Sequence, residues 1–278
     1  MMEGRITVLV ENTAGGRGML AEHGLSFWIE IGSRRILFDT GQSDILLHNA
    51  RVLGIDLRTV DAVVLSHGHY DHVGGLKKVL DIAPGVPVYL HPLALEAKYA
   101  RRETNGRQIG MESEVSHILK RRIDEGMGSF TDGPIEILPG VWATGEIPRR
   151  SAFENTGGPF YRDPSCTEPD ELLDDQALVL ETKDGLVVVL GCAHAGVVNT
   201  LDYVAEVFPN RPIQMVMGGM HLVRALPSRI AYTIDVLRRY DVQRIGPAHC
   251  TGDEALRELW DALPQKCFMC NVGTQIAL

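Results

Sequence analysis

The chain has 278 residues, 45% hydrophobic and 23% charged, an ordinary globular composition that excludes global disorder. No apolar run approaches the roughly 18 residues of a membrane span, and a net charge of -9 disfavours a general nucleic-acid binder. Five cysteines form no regular framework, so a disulfide scaffold is not expected.

The N-terminus carries an early acid and no long apolar stretch, and does not read as a signal peptide. The expected setting is reduced and cytoplasmic, and the expected organisation is one domain over residues 1–278.

Strands are expected over 6–10, 27–31 and 36–38, followed by a helix that opens at Ser43 as N-cap and stops at Gly54. A strand over 62–65, a helix over 75–82, a strand over 86–90 and a helix over 112–125 come next. Further strands fall at 177–180 and 186–190, and a helix at 197–208 ends ahead of Pro209. The series closes with a strand at 215–217, a helix at 228–240, a strand at 244–245 and a helix at 253–263 ahead of Pro264. Several strands are apolar throughout, as expected when both faces are covered, and helices mix with strands along the chain, so the class is α/β.

Two stretches break the rhythm. Residues 98–133 are charged, with a helix and no clear strand, and residues 146–176 are rich in Gly, Pro and charge. Such inserted segments are binding loops or plain surface excursions, and the sequence leaves both readings open.

The chemistry concentrates after the strand at 62–65. Three of the ten histidines fall within six positions, in Ser66-His67-Gly68-His69-Tyr70-Asp71-His72. Imidazole nitrogen and carboxylate oxygen suit zinc, iron and manganese. In an extended segment His67 and His69 point the same way and can pinch one ion. Asp71 and His72 point differently and can serve a second. Unmetallated, so many polar rings at a buried strand tip would be costly. Asp39, Cys192 with His194, His221 and His249 also follow apolar strands. Open α/β sheets place their sites beyond the carboxyl ends of strands, so these tips are expected to converge.

The string His67-x-His69-x-Asp71-His72, preceded by Asp39-Thr40-Gly41 and followed by later histidines, resembles the metallo-β-lactamase superfamily over nearly the whole chain. The resemblance implies a four-layer αββα sandwich with a dinuclear metal site at one edge. Glu22-His23-Gly24-Leu25-Ser26, Thr144-Gly145-Glu146-Ile147-Pro148-Arg149, Gly218-Gly219-Met220-His221-Leu222 and Pro247-Ala248-His249-Cys250-Thr251-Gly252 resemble one branch of it. That branch comprises dihydropterin–ribofuranosylaminobenzene-phosphate synthases, which join a dihydropterin pyrophosphate to a ribofuranosylaminobenzene phosphate and release pyrophosphate.

By the same resemblance His67 and His69 bind a first metal, and Asp71, His72 and His249 a second. Cys192 falls where the superfamily has a bridging aspartate. His194 is taken as the sixth ligand, with Glu146 as its rival. Asp71 and His221 are the expected catalytic residues: Asp71 orients water, and His221 ligates, moves a proton or grips a phosphate. Asp39 is expected to support the histidines by hydrogen bonding. The implied cofactor is one or two divalent ions, zinc first, with iron, manganese or magnesium as alternatives.

The implied activity is that of a metal-dependent hydrolase or transferase acting on a phosphorylated or pyrophosphorylated small molecule, with a dihydropterin as one candidate. The alternatives are a di-iron redox protein of the same fold and a non-catalytic metal sensor. Neither nucleic acid nor membrane is an expected partner, and a homo-oligomer is left open.

Weaker signals remain. The glycine-rich segment 12–24, with Arg17 and His23, reads equally as a phosphate cradle or a hairpin loop. Arg149 and Arg150 read equally as anion contacts or solvated charges. His48, His91 and His117 read as structural, and Cys267 and Cys270 as core thiols.

Overall fold

A computed structural model describes residues 4–102 and 105–278. Residues 103 and 104 of the first inserted stretch, and 1–3 of the N-terminus, lie outside the described residues. The first half contains β1 (Gly4–Val10), β2 (Ser26–Ile31), β3 (Arg34–Phe38), α1 (Ile45–Val52), β4 (Ala62–Val64), α2 (Tyr70–Val73), α3 (Leu76–Ile82) and β5 (Val88–Leu90). There follow β6 (Tyr99–Arg102), β7 (Asn105–Gln108), α4 (Ser113–Asp124), β8 (Gly128–Phe130), β9 (Ile135–Leu138), β10 (Val141–Ala143) and β11 (Phe160–Tyr161). The remainder is β12 (Leu178–Glu181), β13 (Leu186–Leu190), α5 (Val197–Val207), β14 (Ile213–Gly219), α6 (Pro227–Arg239), β15 (Arg244–Ala248), α7 (Asp253–Ala262) and β16 (Gln275–Ala277).

One sheet has the order β16-β1-β2-β3-β4-β5-β8, and a second has the order β15-β14-β13-β12-β10-β9. Alternation along each strand decides what each face packs against. Val187 and Val189 of β13 join Phe27, Ile29, Phe38 and Val64 in the core between the sheets. Leu186, Val188 and Leu190 point the other way, onto Val197, Leu201, Ile234 and Leu259 of the helices. On the far side of the first sheet, Leu37, Val63 and Val88 meet Leu46 and Ala50 of α1 and Leu76 and Val79 of α3. The layers are therefore helix, sheet, sheet, helix, the expected αββα sandwich. Strands covered on both faces need no polar side, which is why their sequences are apolar throughout.

One expectation is corrected. The stretch 98–133 contains strands as well as a helix: β6 and β7 form a hairpin, and β8 joins the edge of the first sheet. β11, from the second inserted stretch, pairs antiparallel with β6, so the two insertions build one small sheet together. β7 reads Asn-Gly-Arg-Gln and is mostly exposed, with no buried face to impose an apolar alternation.

No helix among the described residues is long and apolar enough to cross a membrane.

Candidate metal centre

The parallel strands β3 and β4 of one sheet and β13, β14 and β15 of the other carry the site at their carboxyl ends. β3 runs into Asp39, β4 into Ser66-His67, β13 into Cys192 and His194, β14 into His221 and β15 into His249. Four of these turns hold a non-glycine residue in left-handed backbone: Asp39 (φ 58), Ala193 (φ 56), His221 (φ 44) and His249 (φ 51). Such conformations cost on the order of 1–3 kcal/mol each and persist where the surroundings over-determine them.

His67, His69 and His194 form one group. His67 Nε2 stands 3.0 Å from His69 Nδ1. The His194 ring centroid is 4.9 Å from those of both His67 and His69. Asp71, His72 and His249 form the other. Asp71 Oδ2 is 3.2 Å from His249 Nε2 and 3.8 Å from His72 Nε2. Cys192 lies between the groups. Its Sγ is 3.1 Å from His72 Nε2, and its ligand atom falls within 4.8 Å of those of His67 with His194, and of His72 with His249. Tetrahedral zinc with nitrogen at 2.0–2.1 Å separates its ligand atoms by about 3.3 Å, the scale of these gaps.

The far side of three of these rings is already engaged. His194 Nδ1 donates to the Thr156 carbonyl at 2.8 Å. His249 Nδ1 is 2.8 Å from Asn12 Oδ1, and His72 Nδ1 is 2.7 Å from Asp39 Oδ2. This arrangement fixes the tautomer and presents the Nε2 lone pair inward, as metal-ligating imidazoles require. The Nε2 atoms of His69, His194 and His249 are buried without a hydrogen-bond partner among the described residues. Buried polar atoms are seldom left this way. A cation seated in the site would satisfy the inward-facing Nε2 atoms of His194 and His249, so the residues fit a divalent metal.

Electrostatics divide the two groups: the first is neutral, and in the second a cation at His72 Nε2 must displace a proton. Burial keeps His67 and His194 well below the ordinary imidazole range and His69 down at about 3, so all three stay neutral with lone pairs available. Burial pulls His72 down as well, but Asp39 and Asp71 outweigh it and raise His72 to about 9. Burial would raise Asp71, and the facing His72, His23 and His249 hold it well below the usual carboxylate range.

Supporting residues fix the loops. Asp39 accepts from the Ser66 amide and hydroxyl, each at 2.7 Å, as well as facing His72. Asp174 accepts from the Gly68 amide at 2.8 Å, and its other oxygen is 2.8 Å from buried Lys98 Nζ. Gly68 is required there, because a Cβ would lie 2.4 Å from the Ala94 carbonyl oxygen. Asp175 accepts from the Ala195 amide, steadying the turn that bears His194, and burial raises it to about 6.

The sequence reading placed Glu146 as rival to His194. Glu146 is exposed and belongs to none of the converging ligand groups among the described residues. Arg149 donates to the carbonyls of His194 and Glu171, and Arg150 pairs with Glu206 at the surface, so neither is set for an anion. His117 is exposed, His91 accepts from the Leu93 amide, and His48 faces the Gly18 carbonyl. Cys267 and Cys270 are buried and fall in none of the ligand groups.

His23 was missed as a site residue. Its Nε2 is 3.2 Å from Asp71 Oδ2, and with Asp71 and His249 it makes a further ligand-type group. Its place in the motif Glu22-His23-Gly24 and in the glycine-rich segment 12–24 hinted at a role, but not at a place beside Asp71. Cys250 was also missed; it groups with Cys192 and His221. The His221 ring lies 4.3 Å from that of His194.

A cavity of about 420 Å³ opens over the centre, walled by Tyr70, Ala100, Ile109, Phe160 and Val223. Two of these come from the inserted sheet, which gives it a role at the site: Ala100 lies on β6 and Phe160 on β11.

The model of the metallo-beta-lactamase superfamily matches residues 20–206. The chain belongs to that superfamily. It is 31% identical over 264 residues to a protein of Methanocaldococcus jannaschii named 7,8-dihydropterin-6-methyl-4-(beta-D-ribofuranosyl)-aminobenzene-5'-phosphate synthase, with 90% of this chain and 88% of that one covered. A second, uncharacterised protein of the same organism is 34% identical over 256 residues, covering 91% and 93% of the two chains. A solved metal-dependent hydrolase of the beta-lactamase superfamily superposes with a TM-score of 0.82 at 32% identity, covering 99% and 98%. This chain is thus an enzyme of metallo-beta-lactamase fold.

Proposed function

We propose that this chain is a divalent-metal-dependent hydrolase or transferase that releases a phosphate or pyrophosphate group from a small molecule with a flat ring, with a dihydropterin as the leading candidate. The convergence of inward-facing Nε2 atoms from His194 and His249 on Cys192 and Asp71, beneath an apolar cavity, carries the reading. The name of the M. jannaschii relative, with a dihydropterin and a phosphate in it, supports the substrate class.

His67, His69 and His194 would hold one ion, and Asp71, His72 and His249 the second, with Cys192 in the place between them. Zinc suits this mix of imidazole, thiolate and carboxylate. When bound, the ions supply charge that polarises a phosphoryl oxygen and lowers the pKa of a nearby water. Asp71, kept ionised by its imidazole neighbours, orients the attacking group. His23 stands on the rim, where the Asp71 hydrogen bond raises it, so its Nε2 carries a proton between the reacting group and solvent while Asp71 stays ionised. His221 Nδ1 is buried without a hydrogen-bond partner among the described residues, and grips the departing phosphate oxygen. Phe160 and Tyr70 supply faces for a planar ring, and the apolar wall excludes water.

The test is metal reconstitution followed by turnover on bis(p-nitrophenyl) phosphate and by pyrophosphate release from phosphorylated pterins. Metal-dependent release that disappears in His69→Ala supports the reading. A metal-loaded protein inert on the whole set overturns it, and iron-dependent oxygen consumption would favour the redox alternative instead.

A further inference from the structure

A second cavity, of about 720 Å³, lies beyond His221, which lines both cavities. Among the described residues no acidic side chain lines it, in a chain of net charge -9. It is lined instead by Arg224 of the preceding loop and by Ser228 and Arg229 at the start of α6. This helix has 13 residues, no side-chain cap and no acid in its first turn, so its positive end is uncompensated.

Arg229 supplies the independent observation. It is only 5% exposed, yet Nε and Nη2 have no hydrogen-bond partner among the described residues. Its Nη1 donates to Asn155 Oδ1 at 2.9 Å, and no carboxylate forms an ion pair with the guanidinium among the described residues. The acid whose field it feels, Glu154, accepts from the Val198 and Asn199 amides at the start of α5 and makes no ion pair with it. A buried cation without a carboxylate is expensive, and each unsatisfied donor costs about 1–3 kcal/mol. Arg224, exposed on the rim, likewise makes no ion pair among the described residues.

We propose that this cavity is a second anion site, which holds a phosphate group of the substrate remote from the group that reacts at the metal centre. This rests on the phosphorylated-substrate reading above and adds to it: the substrate carries two anionic groups, one on each side of His221. A guanidinium and a helix N-terminus together suit a phosphate monoester, which offers three acceptor oxygens. His221, which lines both cavities, then stands between the two groups.

The test is a calorimetric titration of the metal-loaded protein with inorganic phosphate, in the wild type, in Arg229→Gln and in Arg224→Glu. The latter changes an exposed side chain and so tests the site even if Arg229→Gln fails to fold. Two phosphates per chain in the wild type, and one in the variants, support both proposals. One in the wild type and none in the variants supports the remote site while refuting phosphate recognition at the metal centre. Equal counts in wild type and Arg224→Glu, or no phosphate bound at all, overturn the remote site.

Discussion

Asp39→Asn is the most informative single change. Asp39 is fully buried and uses both oxygens: Oδ1 takes the Ser66 amide, and Oδ2 takes the Ser66 hydroxyl and faces His72 Nδ1. Asn is nearly isosteric and tolerates the left-handed backbone at this position, so the fold should survive. If its amide oxygen keeps the Ser66 amide, its NH2 group must face His72 Nδ1. His72 then presents a lone pair there and moves its proton to Nε2, the atom that points at Cys192. Loss of such a supporting carboxylate costs about 10–100-fold in metal affinity, or about 1.4–2.8 kcal/mol. Competition with a fluorescent chelator measures it. An affinity within about twofold of wild type, below the range for such partners, would refute the reasoning.

The same variant carries a pH signature. In the metal-free protein His72 is raised from 6.5 to about 9. Its stabilising contribution is complete below about 6.5 and is lost as pH rises through about 9. Chelator-treated wild type should therefore lose thermal stability across that window, and Asp39→Asn should show a flatter profile. An identical slope in both would remove Asp39 as the cause.

Three further outcomes are expected. Lys98→Met strands the buried carboxylate of Asp174, which burial would raise but Lys98 holds below its ordinary 3.8; urea unfolding near neutral pH should show a loss of about 3–5 kcal/mol, partly recovered below about pH 4, where Asp174 is protonated and the wild type is losing its ion pair. Gly68→Ala drives a Cβ against the Ala94 carbonyl, so metal content should fall together with about 1–3 kcal/mol of stability; unchanged metal content would show that the turn can shift without moving the histidines. His221→Ala should lower turnover by on the order of 10²-fold while metal analysis stays at the wild-type value; parallel loss of both would make His221 a ligand, and unchanged turnover would make it structural.

Much of this architecture was legible because burial on both faces writes itself into sequence. β13 reads Leu-Val-Val-Val-Leu, and all five residues are buried. The convergence of the candidate residues was legible because most of them follow such a strand. The hairpin of β6 and β7 was not, because Arg101, Asn105, Arg107 and Gln108 are exposed and carry no alternating signal. The Lys98–Asp174 pair joins residues 76 apart, and nothing in either neighbourhood announces the other. His23 lies in a glycine-rich loop and reaches Asp71 only because the fold returns that loop to the strand ends. Cys192 was visible as a residue, but its position between the two ligand groups needed both sheets to be in place.

The most direct measurement is anomalous diffraction at the metal absorption edge, on crystals of the purified protein soaked in turn with zinc, manganese and iron. A peak bounded by His67, His69 and His194, with or without a second bounded by Asp71, His72 and His249, is the predicted result. Ordered density for all six side chains with no peak among them for any of the three metals would contradict it.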